Sequence, residues 1–204
     1  MDDAAMRRSF KQILIVVMAF AAVPAVRAAT NSFVSPFVVY NDYVPGTLRG
    51  VPSGWMGDYR DMTLNMNWKE NPHAGETCIR FTYNAKGSRY CDMVGVMWQN
   101  PANNSGEIDG GLNLTGASNV TFWARGEKGK ELIDAFTFGG TIGPYPDSDK
   151  ASLTYVRLKP EWAQYKIDIS QCDLMYISSF FGWIAARFNN REGFTIYLDD
   201  IQVE

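Results

Sequence analysis

The feature that most constrains this chain is a short alternation of apolar and polar residues that keeps restarting. After residue 28, no window longer than ten residues keeps a helical period. Residues 77–83 place Ile79, Phe81 and Tyr83 on one face of an extended strand. Residues 119–125 point Val120, Phe122 and Ala124 one way and Thr121, Trp123 and Arg125 the other, because successive side chains of a strand alternate. Runs at 33–40, 91–98, 132–138, 152–158, 163–168, 177–188 (interrupted at Gly182) and 194–203 complete the pattern, with turn clusters such as Asn84 to Ser88 between them. Many short strands separated by Gly, Pro and Asn turns predict an all-β fold, a two-sheet antiparallel β-sandwich of jelly-roll type. Residues 41–71 read as one long irregular stretch rich in Gly, Pro, Asp, Trp and Met. A loop that long in a compact domain is functional or pinned by something.

Residues 1–28 have the organisation of a secretory signal peptide. Arg7, Arg8 and Lys11 precede an apolar run from Ile13 to Val23, and Val26 and Ala28 suit a cleavage site. The run is too short to span a bilayer, so no stable membrane span is expected after cleavage. Cleavage after Ala28 leaves residues 29–204 as a single domain, secreted or periplasmic, long enough for a proper core. That segment carries 15 basic and 20 acidic residues and no basic run, which argues against a nucleic-acid partner. Export permits disulfides, but the cysteines are odd in number: Cys78, Cys91 and Cys172. Cys78 and Cys91 flank a predicted hairpin turn whose register does not settle whether they pair. Oligomeric state is not legible.

Most catalytic chemistry is poorly supplied. The chain has one histidine, His73, whereas a Ser-His-Asp triad needs a histidine base and a zinc enzyme usually needs two or three histidine ligands. A two-carboxylate glycosidase stays open, since acidic residues are plentiful, but no strand aims two carboxylates into one cleft. The reading leans away from an enzyme.

The aromatic residues are more informative. With Val120 and Phe122 facing the core, Trp123 and Arg125 face outward. An indole beside a guanidinium makes a platform on which a sugar ring stacks while nitrogen donors reach its hydroxyls. Trp98-Gln99-Asn100 adds an aromatic residue and amides, which both donate and accept. The alternative for Trp98 and Trp123 is that the 41–71 stretch covers them. At the C-terminus, Asp199 and Asp200 point to opposite strand faces, and the one facing inward wants a cation or a donor. Calcium suits such oxygen ligands, with Asp42 and the 70–76 segment as further suppliers.

Four segments in order, 71–80, 112–127, 161–170 and 194–201, resemble the carbohydrate-binding modules of the galactose-binding-like jelly-roll superfamily. The resemblance rests on Leu112 to Arg125 before a core strand, on Trp162-Ala-Gln-Tyr-Lys-Ile-Asp168, and on the closing Phe194-Thr-Ile-Tyr-Leu-Asp-Asp-Ile201. It covers about residues 33–204 and implies non-covalent binding of a poly- or oligosaccharide. It also implies a structural calcium, with Asp199 as first ligand and Asp42 and Glu76 next. The expected glycan surface is Trp98, Gln99, Trp123, Arg125, Tyr145 in its proline-flanked turn, and Trp183. A polysaccharide lyase or glycosidase on a similar sandwich, and an envelope protein-interaction domain, remain as rival readings.

Overall fold

The computed structural model describes residues 33–43 and 50–204; the signal-peptide expectation lies outside the described residues. Among the described residues eleven strands are formed: β1 Phe37–Tyr40, β2 Val51–Gly57, β3 Met62–Trp68, β4 Cys78–Tyr83, β5 Met93–Gln99, β6 Asn119–Gly126, β7 Leu132–Gly139, β8 Lys150–Arg157, β9 Ala163–Asp168, β10 Ser179–Ala186 and β11 Phe194–Val203. They build two antiparallel sheets. One has the order β3-β4-β11-β6-β9, with β1 pairing the end of β11; the other has the order β2-β5-β10-β7-β8. The expected all-β sandwich is what the chain forms.

The inward-facing residues of both sheets make one core, and the period-two pattern explains its membership. Ile79, Phe81 and Tyr83 of β4, and Val120, Phe122 and Ala124 of β6, are fully or almost fully buried. From the other sheet come Val94, Val96 and Trp98, then Phe136 and Phe138, then Phe181, Trp183 and Ala185. Rings interlock across the layers. Phe122 lies 4.6 Å from Phe136 and 4.9 Å from Phe181, and Phe81 lies 5.1 Å from Trp183, edge to face. Such offset and edge-on pairs stabilise beyond the area they bury.

Two expectations are corrected here. Residues 41–71 are not one irregular stretch, since they contain β2 and β3. In β3, Met62, Leu64 and Met66 pack toward the core while Thr63, Asn65 and Asn67 are exposed; the alternation is present, but it is carried mostly by methionine and asparagine, with Thr63 the one β-branched residue among these six. The 84–92 segment is not a hairpin turn either. β4 and β5 belong to different sheets, so this segment crosses between layers. Cys78, Cys91 and Cys172 are all free thiols. Burial pushes the Cys78 thiol up to about 12, with the Asp199 charge adding to it.

Candidate functional site

The outer face of the six-stranded sheet carries the densest set of chemistry-bearing side chains. Register brings them together in two adjacent rows. Arg80 pairs with Asn65 on one side and with Tyr197 on the other, and Tyr197 pairs in turn with Arg125. Trp162 stands just before β9, where the β6–β9 register continues past Ala124 and Ala163. The second row runs Trp68, Cys78, then Asp199, Trp123 and Gln164. In the first row the cations lie on rings. The Arg125 guanidinium carbon is 3.7 Å from the Tyr197 ring centre and 5.3 Å from that of Trp162. Arg80 reaches diagonally to the second row, 4.3 Å from the Trp68 ring. These distances are in the range of cation–π attraction. The Tyr197 hydroxyl donates to Glu127 Oε2 at 2.6 Å; burial first, and then this carboxylate, raise the phenol's pKa. Beyond the first row, the Thr82 and Thr195 hydroxyls are bonded to each other at 3.0 Å beside exposed Thr63.

The loop from Asn71 to Thr77 folds over the second row and decides which part of the face is open. The His73 ring stacks on Trp123, with centres 3.7 Å apart and planes 16° from parallel, and its Nδ1 lies 2.7 Å from Asp200 Oδ2. Trp162 Nε1 donates to the Asn71 carbonyl at 3.0 Å. Asp199, fully buried beneath this loop, accepts the backbone N–H of His73 and of Asp200, both at 2.9 Å, and a longer one from Ala74. Asp42 Oδ1 accepts the N–H of Glu76 and of Thr77 and the Thr77 hydroxyl. Gly75 has φ +61°, and a Cβ there would fall 2.1 Å from Asp42 Oδ2, so glycine is required for the loop to close on this carboxylate.

No family model matches the sequence, and no curated protein matches it. Solved structures do. The family 30 carbohydrate-binding module of a cellulosomal cellulase of Clostridium thermocellum superposes with a TM-score of 0.53 at 12% identity, over 84% of this chain and 98% of that one. A second family 30 module gives 0.51 at 12% identity, over 82% and 86%. A family 29 module, in a variant made to probe ligand recognition, gives 0.50 at 11%, over 83% and 91%. The chain has the fold of a carbohydrate-binding module. At such identities the likeness is one of fold, so the residues of this chain must be judged by their own placement.

Of the six expected glycan-surface residues, Trp123 and Arg125 lie together on the outer face, as the β6 alternation predicts. Trp123, however, is half-buried, and its ring is taken by His73. The expectation for Trp98 and Trp183 is corrected: both are fully buried core residues. They share the inward face with Val94 and Val96, and with Phe181 and Ala185, and the same alternation already contained that assignment. Gln99 faces outward on β5 but is buried, accepting the Ser53 hydroxyl at 3.2 Å and packing on Gly54, where a Cβ would come within 2.8 Å of its amide carbon. Tyr145 is 42% exposed, in the β7–β8 turn of the other sheet, where its N–H bonds the Gly106 carbonyl. It is not brought to the face that holds Arg125. Sequence reasoning missed Trp68, Arg80, Tyr197 and Trp162. Arg80 was within reach, since it alternates with Ile79 and Phe81.

The three expected metal ligands sit at the same loop but do not converge as a ligand set. Glu76 is exposed, and the Asp42 and Asp199 carboxylates face N–H donors of the loop. Among the described residues, no group of three or more His, Cys, Asp or Glu side chains is placed to hold a metal ion. The expected opposite facing of the two carboxylates is corrected: the strand is irregular after Asp199, so both meet the same loop, Asp200 at the His73 ring and Asp199 buried beneath the loop, where backbone N–H donors satisfy it.

Proposed function

We propose that this chain is an exported, non-catalytic domain that binds a poly- or oligosaccharide on the outer face of its six-stranded sheet. The observation that carries the reading is the row of guanidinium groups stacked on rings, Arg80 on Trp68 and Arg125 between Tyr197 and Trp162. Ring faces that the guanidinium groups leave uncovered suit the C–H faces of sugars, and Asn65, Thr82, Thr195 and the guanidinium edges supply hydrogen bonds for hydroxyls. The strands from β3 to β9 span four inter-strand spacings, about 19 Å, room for several sugar rings laid across the strands. The carbohydrate-binding-module fold supports the reading, since its solved neighbours are named for that activity. The outer face of the five-stranded sheet offers instead Met56, Met97 and Ile184 around Gly95 and Gly182, a surface without a central ring.

Pull-down and affinity electrophoresis against a panel of insoluble and soluble polysaccharides test this. Trp162→Ala and Trp68→Ala are each expected to weaken binding about tenfold, which corresponds to ~1.4 kcal/mol. Trp55→Ala, on the edge of the other sheet, is expected to leave it unchanged. Loss of binding in Trp55→Ala alone would move the site to the β2 edge of the five-stranded sheet. Turnover of any glycan, abolished by one Asp or Glu substitution, would replace the non-catalytic reading with the enzyme. Export is checked by the mass of the chain recovered outside the cytoplasm, expected to begin at Ala29.

A further inference from the structure

We propose that the glycan held by this face is anionic, and that Arg80 and Arg125 bind its carboxylate or sulfate groups. This rests on the reading of the face as a glycan site and names the class of glycan. Arg80 and Arg125 are both partly buried, at the centre of a sheet face, and among the described residues neither makes a hydrogen bond or an ion pair. Each Nε is out of contact with solvent and has no acceptor. Other arginines of the same chain find oxygen: Arg187 pairs with Asp92 at 2.6 Å, Arg157 donates to the Lys130 carbonyl, and Arg89 donates to the Tyr59 hydroxyl. Arg60 and Arg191 also lack an acceptor, but both are exposed; of the partly buried arginines among the described residues, Arg187 has a carboxylate and Arg80 and Arg125 have none. Glu127 accepts the Tyr197 hydroxyl and makes no ion pair with Arg125. Asp199 is turned into the N–H groups of the loop and Asp200 toward His73. The undescribed 44–49 segment, Val-Pro-Gly-Thr-Leu-Arg, contains no carboxylate.

A guanidinium is always charged, and it carries five donors in a planar fork that matches the oxygens of a carboxylate or sulfate. Held over a ring, at 4.3 Å for Arg80 and 3.7 Å for Arg125, it has less freedom to lose when a ligand arrives. Ring contact here restrains two such forks in advance, which lowers the ordering cost of binding. Neutral hydroxyls would leave the charge uncompensated; an oxyanion supplies both charge and paired acceptors. Arg80 and Arg125 each neighbour Tyr197, so they stand two strand spacings apart, about 9–10 Å. A chain with acidic groups on non-adjacent rings fits that interval. The net acidic character of the whole chain excludes general attraction of polyanions, so recognition depends on these two residues at contact range.

The test uses matched pairs of glycans: polygalacturonate against its fully methyl-esterified form, and a sulfated galactan against the same chain desulfated. Expected is about tenfold tighter binding of the charged member of at least one pair, lost in Arg80→Gln/Arg125→Gln. The two pairs tell carboxylate from sulfate, and either supports the proposal. Arg125→Lys and Arg80→Lys keep the charge and stem but not the fork, and should also lose the preference; they serve if the double variant fails to fold. Equal binding of charged and neutral members overturns the anionic assignment and leaves the glycan reading standing. An anionic preference that survives in the lysine and glutamine variants overturns the role of these arginines. No binding to any charged or neutral glycan overturns both.

Discussion

Replacing His73 with alanine tests whether the 71–77 loop is held down by its one aromatic side chain. Three contacts go with the ring: the stack on Trp123 at 3.7 Å, the edge contact with Trp162 at 6.0 Å, and the approach of Nδ1 to Asp200 at 2.7 Å. The stack contributes about 0.5–1.5 kcal/mol beyond its buried area. The contact to Asp200 is discounted because both side chains are about a quarter exposed; it is assigned about 1 kcal/mol instead of the ~1.5–3 of a hydrogen bond to a fully buried charge. The backbone N–H groups that cap Asp199 are unaffected by the substitution, so the loop loses its clip and keeps its course. Together these give a loss of about 1.5–2.5 kcal/mol, and for a domain of this size a Tm lower by about 3–10 °C. Calorimetry or urea denaturation measures it, and a cycle with Trp123→Ala isolates the stack, with an expected coupling of about 0.5–1.5 kcal/mol. Additive single effects, or a Tm within about 1 °C of the parent, would refute the account of the loop as pinned by His73 and return Trp123 to the open surface.

In the core, Phe122→Ala removes a ring that meets Phe136, Phe181 and Tyr165 and is expected to cost about 3–5 kcal/mol in urea denaturation; Lys166→Ala, on the exposed side of β9, should stay within about 0.5 kcal/mol. Burial pushes the Asp199 carboxyl from 3.8 up to about 6, the Asp200 charge adding to it while N–H bonds from Asp200, Ala74 and His73 oppose it. The folded chain therefore binds this proton more tightly than the unfolded chain, so its contribution to stability is whole below pH 3.8 and is lost as pH rises through about 6. In chelator-treated protein, Asp199→Asn should flatten the fall in Tm across that window; an unchanged slope would assign the fall to other groups. Calcium stands as a proposal that chelation decides. An ion bound at the 71–77 loop would make Tm fall in EDTA and recover in excess calcium, by the equivalent of about 2.7 kcal/mol at a hundredfold its dissociation constant, and no change would remove it.

Much of this fold is written in local patterns. The alternation in 77–83, 119–125 and 194–203 alone assigns Phe81, Phe122 and Ile196 to the core and Arg125 to the outside, because the direction of a Cβ on a strand is a property of the backbone at that residue. Applied to 93–99 and 179–186, the same rule places Trp98 and Trp183 inside; the indole suits a sugar-binding surface, but strand geometry decides its side. What the local pattern does not contain is the partner across the strand. Arg80, Tyr197 and Arg125 are far apart in sequence and meet because β4 and β6 both pair with β11 in one register. β4 and β5, neighbours in sequence, part to different sheets. The cover on Trp123 likewise comes from a histidine fifty residues earlier, held by backbone donors to Asp199. The sequence by itself determined the sandwich and the facing of its side chains, since these follow from residue type and period two. Only the tertiary structure decided which outward residues form one surface and which lie beneath a loop, since register and loop placement are set by long-range packing.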